Sequence, residues 1–155
     1  MHRPSNVDDP LAFGRILEAL EIISAKLPVV FPVHPRTRKT IAELGFEERV
    51  KNIDGLQLVD PLGYLDFLNL YSGAQLVLTD SGGIQEETSV LGIPCITLRE
   101  NTERPITVTM GTNTIAGTDT DRIVAAAFAL KTKSTLGTLA IGMAVLVLLK
   151  WWGPF

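Results

Sequence analysis

The chain has 155 residues, 46% hydrophobic and 20% charged, a balance that suits one folded core and excludes a disordered polymer. A net charge of −3 without any basic run argues against a nucleic-acid surface. The single cysteine, Cys95, excludes an internal disulfide and a cysteine-rich metal site, and fits a reducing compartment.

No secretory leader is expected, since His2-Arg3-Pro4 leads into polar residues where an apolar stretch would be needed. From Asp9 to Leu27, apolar residues at Leu11, Ile16, Leu17, Leu20, Ile23 and Leu27 predict a helix. Asp8 or Asp9 is its expected cap, Pro10 is tolerated in its first turn, and Pro28 stops it. Val29-Val30-Phe31-Pro32-Val33 is a short apolar run of the kind buried in parallel sheets. His34-Pro35-Arg36-Thr37 follows, and a short helix through Ile41 and Leu44 closes at Gly45.

The alternation then repeats. Leu56–Val59 reads as a strand, Tyr64–Tyr71 as a helix and Gln75–Thr79 as a strand. A helix is expected over Ile84–Leu91, ended by Gly92, then a strand over Ile93–Leu98. Asn113–Ala116 is a last short strand before a helix running from Asp119 or Asp121 to about Leu130. Strands alternating with helices predict an α/β fold, a Rossmann-like parallel sheet with helices on both faces and right-handed crossovers. Ligands of such folds lie beyond the carboxyl ends of the strands.

Asp80-Ser81-Gly82-Gly83-Ile84-Gln85-Glu86-Glu87, directly after Thr79, occupies that place. Two glycines let backbone amides approach a ligand, and they open a helix whose positive end favours anions. A Ser81 hydroxyl can donate to phosphate, and Glu87, one turn on, can accept from a ribose diol. The same residues also read as a tight turn with Asp80 or Ser81 capping the helix. This is neither the dinucleotide fingerprint nor a P-loop. Cys95 reads as core. His34 reads as a turn residue placed over the cleft, and Asp80 as a turn residue or a base.

The run Leu78-Thr79-Asp80-Ser81-Gly82-Gly83-Ile84-Gln85-Glu86-Glu87 resembles the signature of the non-hydrolysing UDP-N-acetylglucosamine 2-epimerases. Three further stretches agree: His2-Arg3-Pro4-Ser5-Asn6-Val7-Asp8, Pro61-Leu62-Gly63-Tyr64-Leu65-Asp66-Phe67, and Thr102-Glu103-Arg104-Pro105 followed by Gly111-Thr112-Asn113. The resemblance covers residues 2 to about 130. It implies the C-terminal half of a glycosyltransferase-B-type fold. Ser81, Gly82 and Gly83 would hold the diphosphate, Glu87 the ribose, Phe67 the uracil side and Arg104 the phosphate region. His2 would be catalytic, near the departing diphosphate.

The implied reaction interconverts UDP-N-acetylglucosamine and UDP-N-acetylmannosamine by eliminating and re-adding UDP. The resemblance places the key carboxylates on an N-terminal domain, so a complementary domain or chain is an expected partner, with UDP or a UDP-sugar as ligand. It also places the chain's start at the end of a central strand, whose loss would leave two internal sheet edges unpaired. A homodimer is a further expectation; no cofactor, metal or nucleic acid is expected. Taken without the resemblance, Phe67 is ordinary core, His2 a loose end, and Arg104 an ion-pair partner of Glu103 or Glu100. Two other readings stand beside the first: the donor-binding half of a glycosyltransferase, and a non-catalytic UDP-binding or membrane-tethered module.

After residues 1–131 the resemblance ends. Ser134–Leu149 carries no charge, and Trp151 and Trp152 follow Lys150. Residues 134–152 are therefore expected to form an apolar C-terminal helix, short for a span of about 20 residues but flanked by interface anchors. Lys131 and Lys133 would keep the preceding domain in the cytoplasm, where nucleotide sugars are found.

Overall fold

The computed structural model describes residues 1 and 3–131. After a one-turn helix α1 (Pro4–Val7), the first long element is α2 (Pro10–Ser24). The Asp9 carboxylate accepts the Leu11 amide at 2.9 Å, and Pro10 sits where an N–H would have no partner. Phe13, Ile16, Leu17, Leu20 and Ile23 form its buried stripe. The helix ends at Ser24 rather than Leu27, because the Lys26 and Leu27 amides both turn back to the Ile23 carbonyl.

β1 (Val29–Pro32) pairs in parallel with β2 (Leu56–Val59), and between them lie α3 (Pro35–Glu43) and α4 (Glu47–Lys51). Gly55 turns the chain into β2 at φ +77°, and a Cβ there would lie 2.4 Å from the Ser24 carbonyl oxygen, so only glycine fits. α5 (Tyr64–Ser72) leads to β3 (Val77–Thr79), and α6 (Gly82–Leu91) to β4 (Cys95–Thr97). α6 closes on Gly92, whose left-handed backbone lets its amide reach the Ser89 and Thr88 carbonyls. α7 (Ile106–Thr109) precedes β5 (Asn113–Ile115), and residues 120–131 form a further helix, α8.

The expected single sheet is two. β1 bonds to β2, and β3-β4-β5 form a separate parallel sheet. The other edges of β1 and β3 flank an apolar slot of about 400 Å³, lined by Val29–Pro32 and Leu76–Thr79, and the two strands are not paired across it. α2 holds the sheets together: its buried stripe belongs to one core cluster with Val33, Ile96, Leu98, Ala116 and Ile123. α8 docks beside it, with the Thr120 hydroxyl donating to the Arg15 carbonyl and the Lys26 ammonium 5.0 Å above the Phe128 ring.

His2, expected to be catalytic, and residues 134–152, expected to be an apolar helix, lie outside the described residues. Among the described residues, no helix is long and apolar enough to cross a membrane.

Candidate functional site

The turn after β3 gathers three parts of the chain. Thr79 Oγ1 accepts the Ser81 amide at 3.1 Å, which sets the direction in which α6 leaves the strand. Asp80 is fully buried, and its Oδ2 accepts the Arg3 amide at 2.9 Å. Asn6 Nδ2 donates to the Leu98 carbonyl at 2.7 Å, tying α1 to the end of β4. The amino-terminal segment is thereby fixed across the carboxyl ends of β3 and β4, where an α/β fold binds its ligands.

Ser81 is the N-cap residue of α6, but its side chain does not take the capping role open to it. The first amides of a ten-residue helix thus face outward with the positive end of its dipole. Packing does not require the two glycines either: neither has a positive φ. A Cβ on Gly82 would come no closer than 3.6 Å to any protein atom, and one on Gly83 no closer than 3.9 Å. What the glycines leave clear is the outside of the helix start.

Cations collect around it. Arg104 is exposed and its Nε lies 3.0 Å from Glu86 on α6, so its ion-pair partner is Glu86 rather than Glu103 or Glu100. Arg99 donates to both oxygens of Glu103, at 2.9 and 3.0 Å, and Arg3 reaches the same carboxylate at 3.3 Å. Hydrogen bonds from Arg99 hold the Glu103 carboxyl below its usual range, with the charges of Arg3, Arg99 and Arg104 adding to the effect. Arg3 and Arg99 belong to this cluster, and sequence spacing does not single them out. The more exposed pairs, Arg104–Glu86 and Arg3–Glu103, contribute little to stability, so an incoming anion can exchange with those carboxylates at small cost.

A buried polar network sets where Arg104 stands. Gln85 Oε1 accepts from the Thr102 hydroxyl and, at 3.3 Å, from Asn113 Nδ2. Thr102 Oγ1 accepts the Arg104 amide at 2.9 Å, while Asn113 also bonds Thr107 and Thr97 at 3.0 and 2.7 Å. Buried Gln, Asn and Thr side chains need such partners, and that need is their only mark in the sequence.

One turn along α6, Glu87 accepts from Tyr71 and, at 3.3 Å, from Tyr64. Both tyrosines come from α5, and Tyr71 is buried. Burial first, then Glu87, raises the Tyr71 phenol above its ordinary value, so it stays a donor. Phe67 packs edge-on against Tyr71 with ring centroids 5.1 Å apart, half-buried on the wall of the slot. Ser81, Gly82, Gly83 and Arg104 therefore stand together, Glu87 lies one helical turn away, and Phe67 reaches them only through Tyr71.

His34 is exposed and caps α3, its Nδ1 accepting the Arg36 amide at 3.2 Å. Cys95 is core, and burial pushes its thiol up to about 11.

The sequence model of the UDP-N-acetylglucosamine 2-epimerase family matches residues 1–140. A UDP-N-acetylglucosamine 2-epimerase of Methanococcus maripaludis is 41% identical over 126 residues, covering 80% of this chain and 34% of that protein. A UDP-2,3-diacetamido-2,3-dideoxy-D-glucuronate 2-epimerase of Pseudomonas aeruginosa is 44% identical over 82% of this chain and 34% of its own length. The crystal structure of the Methanocaldococcus jannaschii UDP-GlcNAc 2-epimerase in complex with UDP-GlcNAc and UDP superposes with a TM-score of 0.80 at 39% identity, covering 84% of this chain and 36% of that one. The chain thus spans about a third of the length of these relatives. Matched by the family model over most of its residues and by relatives at more than 40% identity, the chain belongs to the UDP-N-acetylglucosamine 2-epimerase family.

Proposed function

We propose that residues 1–131 hold the uridine diphosphate of a nucleotide sugar, as the nucleotide-binding part of an enzyme that interconverts UDP-N-acetylglucosamine and UDP-N-acetylmannosamine. The observation that carries this reading is the uncapped start of α6, flanked by Arg104 and by the Arg3–Arg99–Glu103 cluster. An anion there meets backbone amides, a helix dipole and guanidiniums together. The methanogen enzyme with UDP-GlcNAc and UDP bound supports the choice of anion.

In such a reaction a base removes the hydrogen on C2 of the sugar, the electron pair forms the C1–C2 double bond, and the C1–oxygen bond to the diphosphate breaks. Negative charge grows on the departing phosphate. The α6 amides, Ser81 and Arg104 are the groups of this chain suited to stabilise it, and being held in place beforehand they need not reorganise as it forms. Reversal, with a proton delivered to the opposite face of C2, inverts that centre. Glu87 is assigned to the ribose diol, Phe67 to the uracil side, and His2, on its motif alone, to the neighbourhood of the leaving diphosphate. The acids and bases for C2 are assigned to the part of such an enzyme that the relatives' greater length contains.

Calorimetric titration tests this. UDP should bind with an affinity that falls as salt rises, and uridine should bind far more weakly, because the phosphates supply most of the contact. Equal affinity for the two, or binding of neither, would remove the diphosphate assignment.

A further inference from the structure

Arg104 is held by its main chain as well as by its head group. Its N–H donates to Thr102 Oγ1 at 2.9 Å, and its carbonyl accepts the Thr107 amide at 3.0 Å and the Thr107 hydroxyl at 2.7 Å. A hydroxyl has a single hydrogen to give. Thr107 gives its own to Arg104, so its oxygen accepts Asn113 Nδ2 at 3.0 Å. Thr102 accepts from Arg104, and its hydrogen goes to Gln85 Oε1. Asn113 Nδ2 reaches the same Gln85 oxygen at 3.3 Å, while Asn113 Oδ1 accepts the Thr97 hydroxyl at 2.7 Å. Both peptide groups of Arg104 thus lead back to one oxygen atom.

Gln85 is fully buried, and its Nε2 has no protein partner among the described residues. A side chain needed only for packing would be apolar at this depth, because a buried donor left unpaired is costly. The oxygen is the part of Gln85 that the structure uses. Glu86, the next residue of α6, faces outward and holds Arg104 Nε at 3.0 Å. Successive residues of one helix therefore hold Arg104 at two levels. The outer hold is an exposed ion pair that an anion can replace. The inner hold is buried and stays when the outer one is exchanged.

We propose that Gln85 is a positioning residue: it fixes the main chain of Arg104 to α6, so that the guanidinium and the first amides of that helix meet one anion at a set spacing. Gln85 touches no ligand itself. It acts through Thr102 directly and through Asn113 and Thr107 indirectly, and each link is a hydrogen bond with a fixed direction. Groups set in place beforehand lose less freedom on binding, which is where the gain in affinity arises. The proposal rests on the reading of the α6 start and Arg104 as a diphosphate site.

The experiment uses the full chain with UDP as the probe. Gln85→Met keeps the length of the side chain and removes its oxygen. Thr102→Val, at a half-buried loop position, removes the hydroxyl that joins Gln85 to Arg104. Each should lower UDP affinity about tenfold, whereas Thr102→Ser, which keeps the hydroxyl, should stay within about twofold of the wild type. In an Arg104→Ala background, Gln85→Met should change affinity by less than about twofold, because its effect runs through the arginine. An equal loss in both backgrounds would mean a packing role and overturn the proposal, as would wild-type affinity in both Gln85→Met and Thr102→Val. Exchange of the Arg104 amide in the ligand-free chain reads the same hold without nucleotide. It should quicken about threefold or more in both variants, and unchanged exchange in both would overturn the proposal. A wild-type chain that bound no UDP would remove the diphosphate reading, and the exchange rates would still decide whether Gln85 holds Arg104.

Discussion

The Tyr71 hydroxyl donates to the Glu87 carboxylate, and Tyr64 donates to the other oxygen of the same group. Glu87 is therefore held from α5, at a fixed rotation on α6, before any ligand arrives. A carboxylate oriented in this way suits a pair of adjacent hydroxyls better than a freely turning one.

Tyr71→Phe keeps the ring against Phe67 and removes only the hydroxyl. UDP affinity should fall about tenfold, which is roughly 1.4 kcal/mol. Affinity for 2′-deoxyuridine diphosphate should fall much less, because part of the diol is already gone. Calorimetry with both nucleotides reads the difference, and an equal loss for the two would detach Glu87 from the ribose. The raised phenol carries a pH signature: its contribution to stability is complete below the ordinary tyrosine value of 10.0 and fades as pH climbs from there toward the raised value. Urea titrations across the alkaline range should show that loss in the wild type and less of it in the variant.

Gly82→Val should leave the fold intact and abolish diphosphate binding. The backbone at Gly82 is helical, and a first side-chain carbon there clears Glu103 and Arg104 by 3.6 Å or more. The branch beyond it projects over the helix start, where the phosphate would lie. Circular dichroism and UDP titration check both halves; UDP binding of wild-type strength would remove the phosphate cradle.

Gly55→Ala should cost at least about 2 kcal/mol in chemical denaturation, from a left-handed backbone with a side chain on it and contact with the Ser24 carbonyl. Gly45→Ala is the control: it shares the positive φ, but a Cβ would meet nothing within 4 Å. The difference between the two variants isolates the contact with Ser24.

Cys95 should not react with a thiol reagent at pH 8 while the chain is folded. It is fully buried, and its thiol is pushed up to about 11. Labelling should follow the unfolding curve in urea. Rapid labelling without denaturant would mean that β4 is not the buried centre of its sheet.

Much of the fold is legible in the chain because its strands are short apolar runs bounded by Pro28, Gly55 and Gly92. α1, α4 and α7 escape that reading, since four or five residues carry too little of a 3.6-residue period to register. The site is half legible. Ser81-Gly82-Gly83 and Glu87 announce themselves by local spacing, but Tyr71 is recognisable only as a buried phenol in need of an acceptor. Arg3 and Arg99 meet at Glu103 from distant parts of the chain, a contact that no local pattern specifies. The division into two sheets, with the inner edges of β1 and β3 unpaired, matches the two open internal edges that the resemblance implies.

That division also bears on how the molecule comes apart. β1–β2 and β3–β4–β5 share no backbone ladder, and the α2 side chains Phe13, Ile16, Leu17 and Leu20 belong to the core cluster that spans both. Each sheet with its own crossover helices is a candidate cooperative unit, and α2 is the clasp between them. Trimming the clasp, as in Ile16→Ala, would uncouple two meltings that otherwise coincide, and the protein would pass from one transition to two.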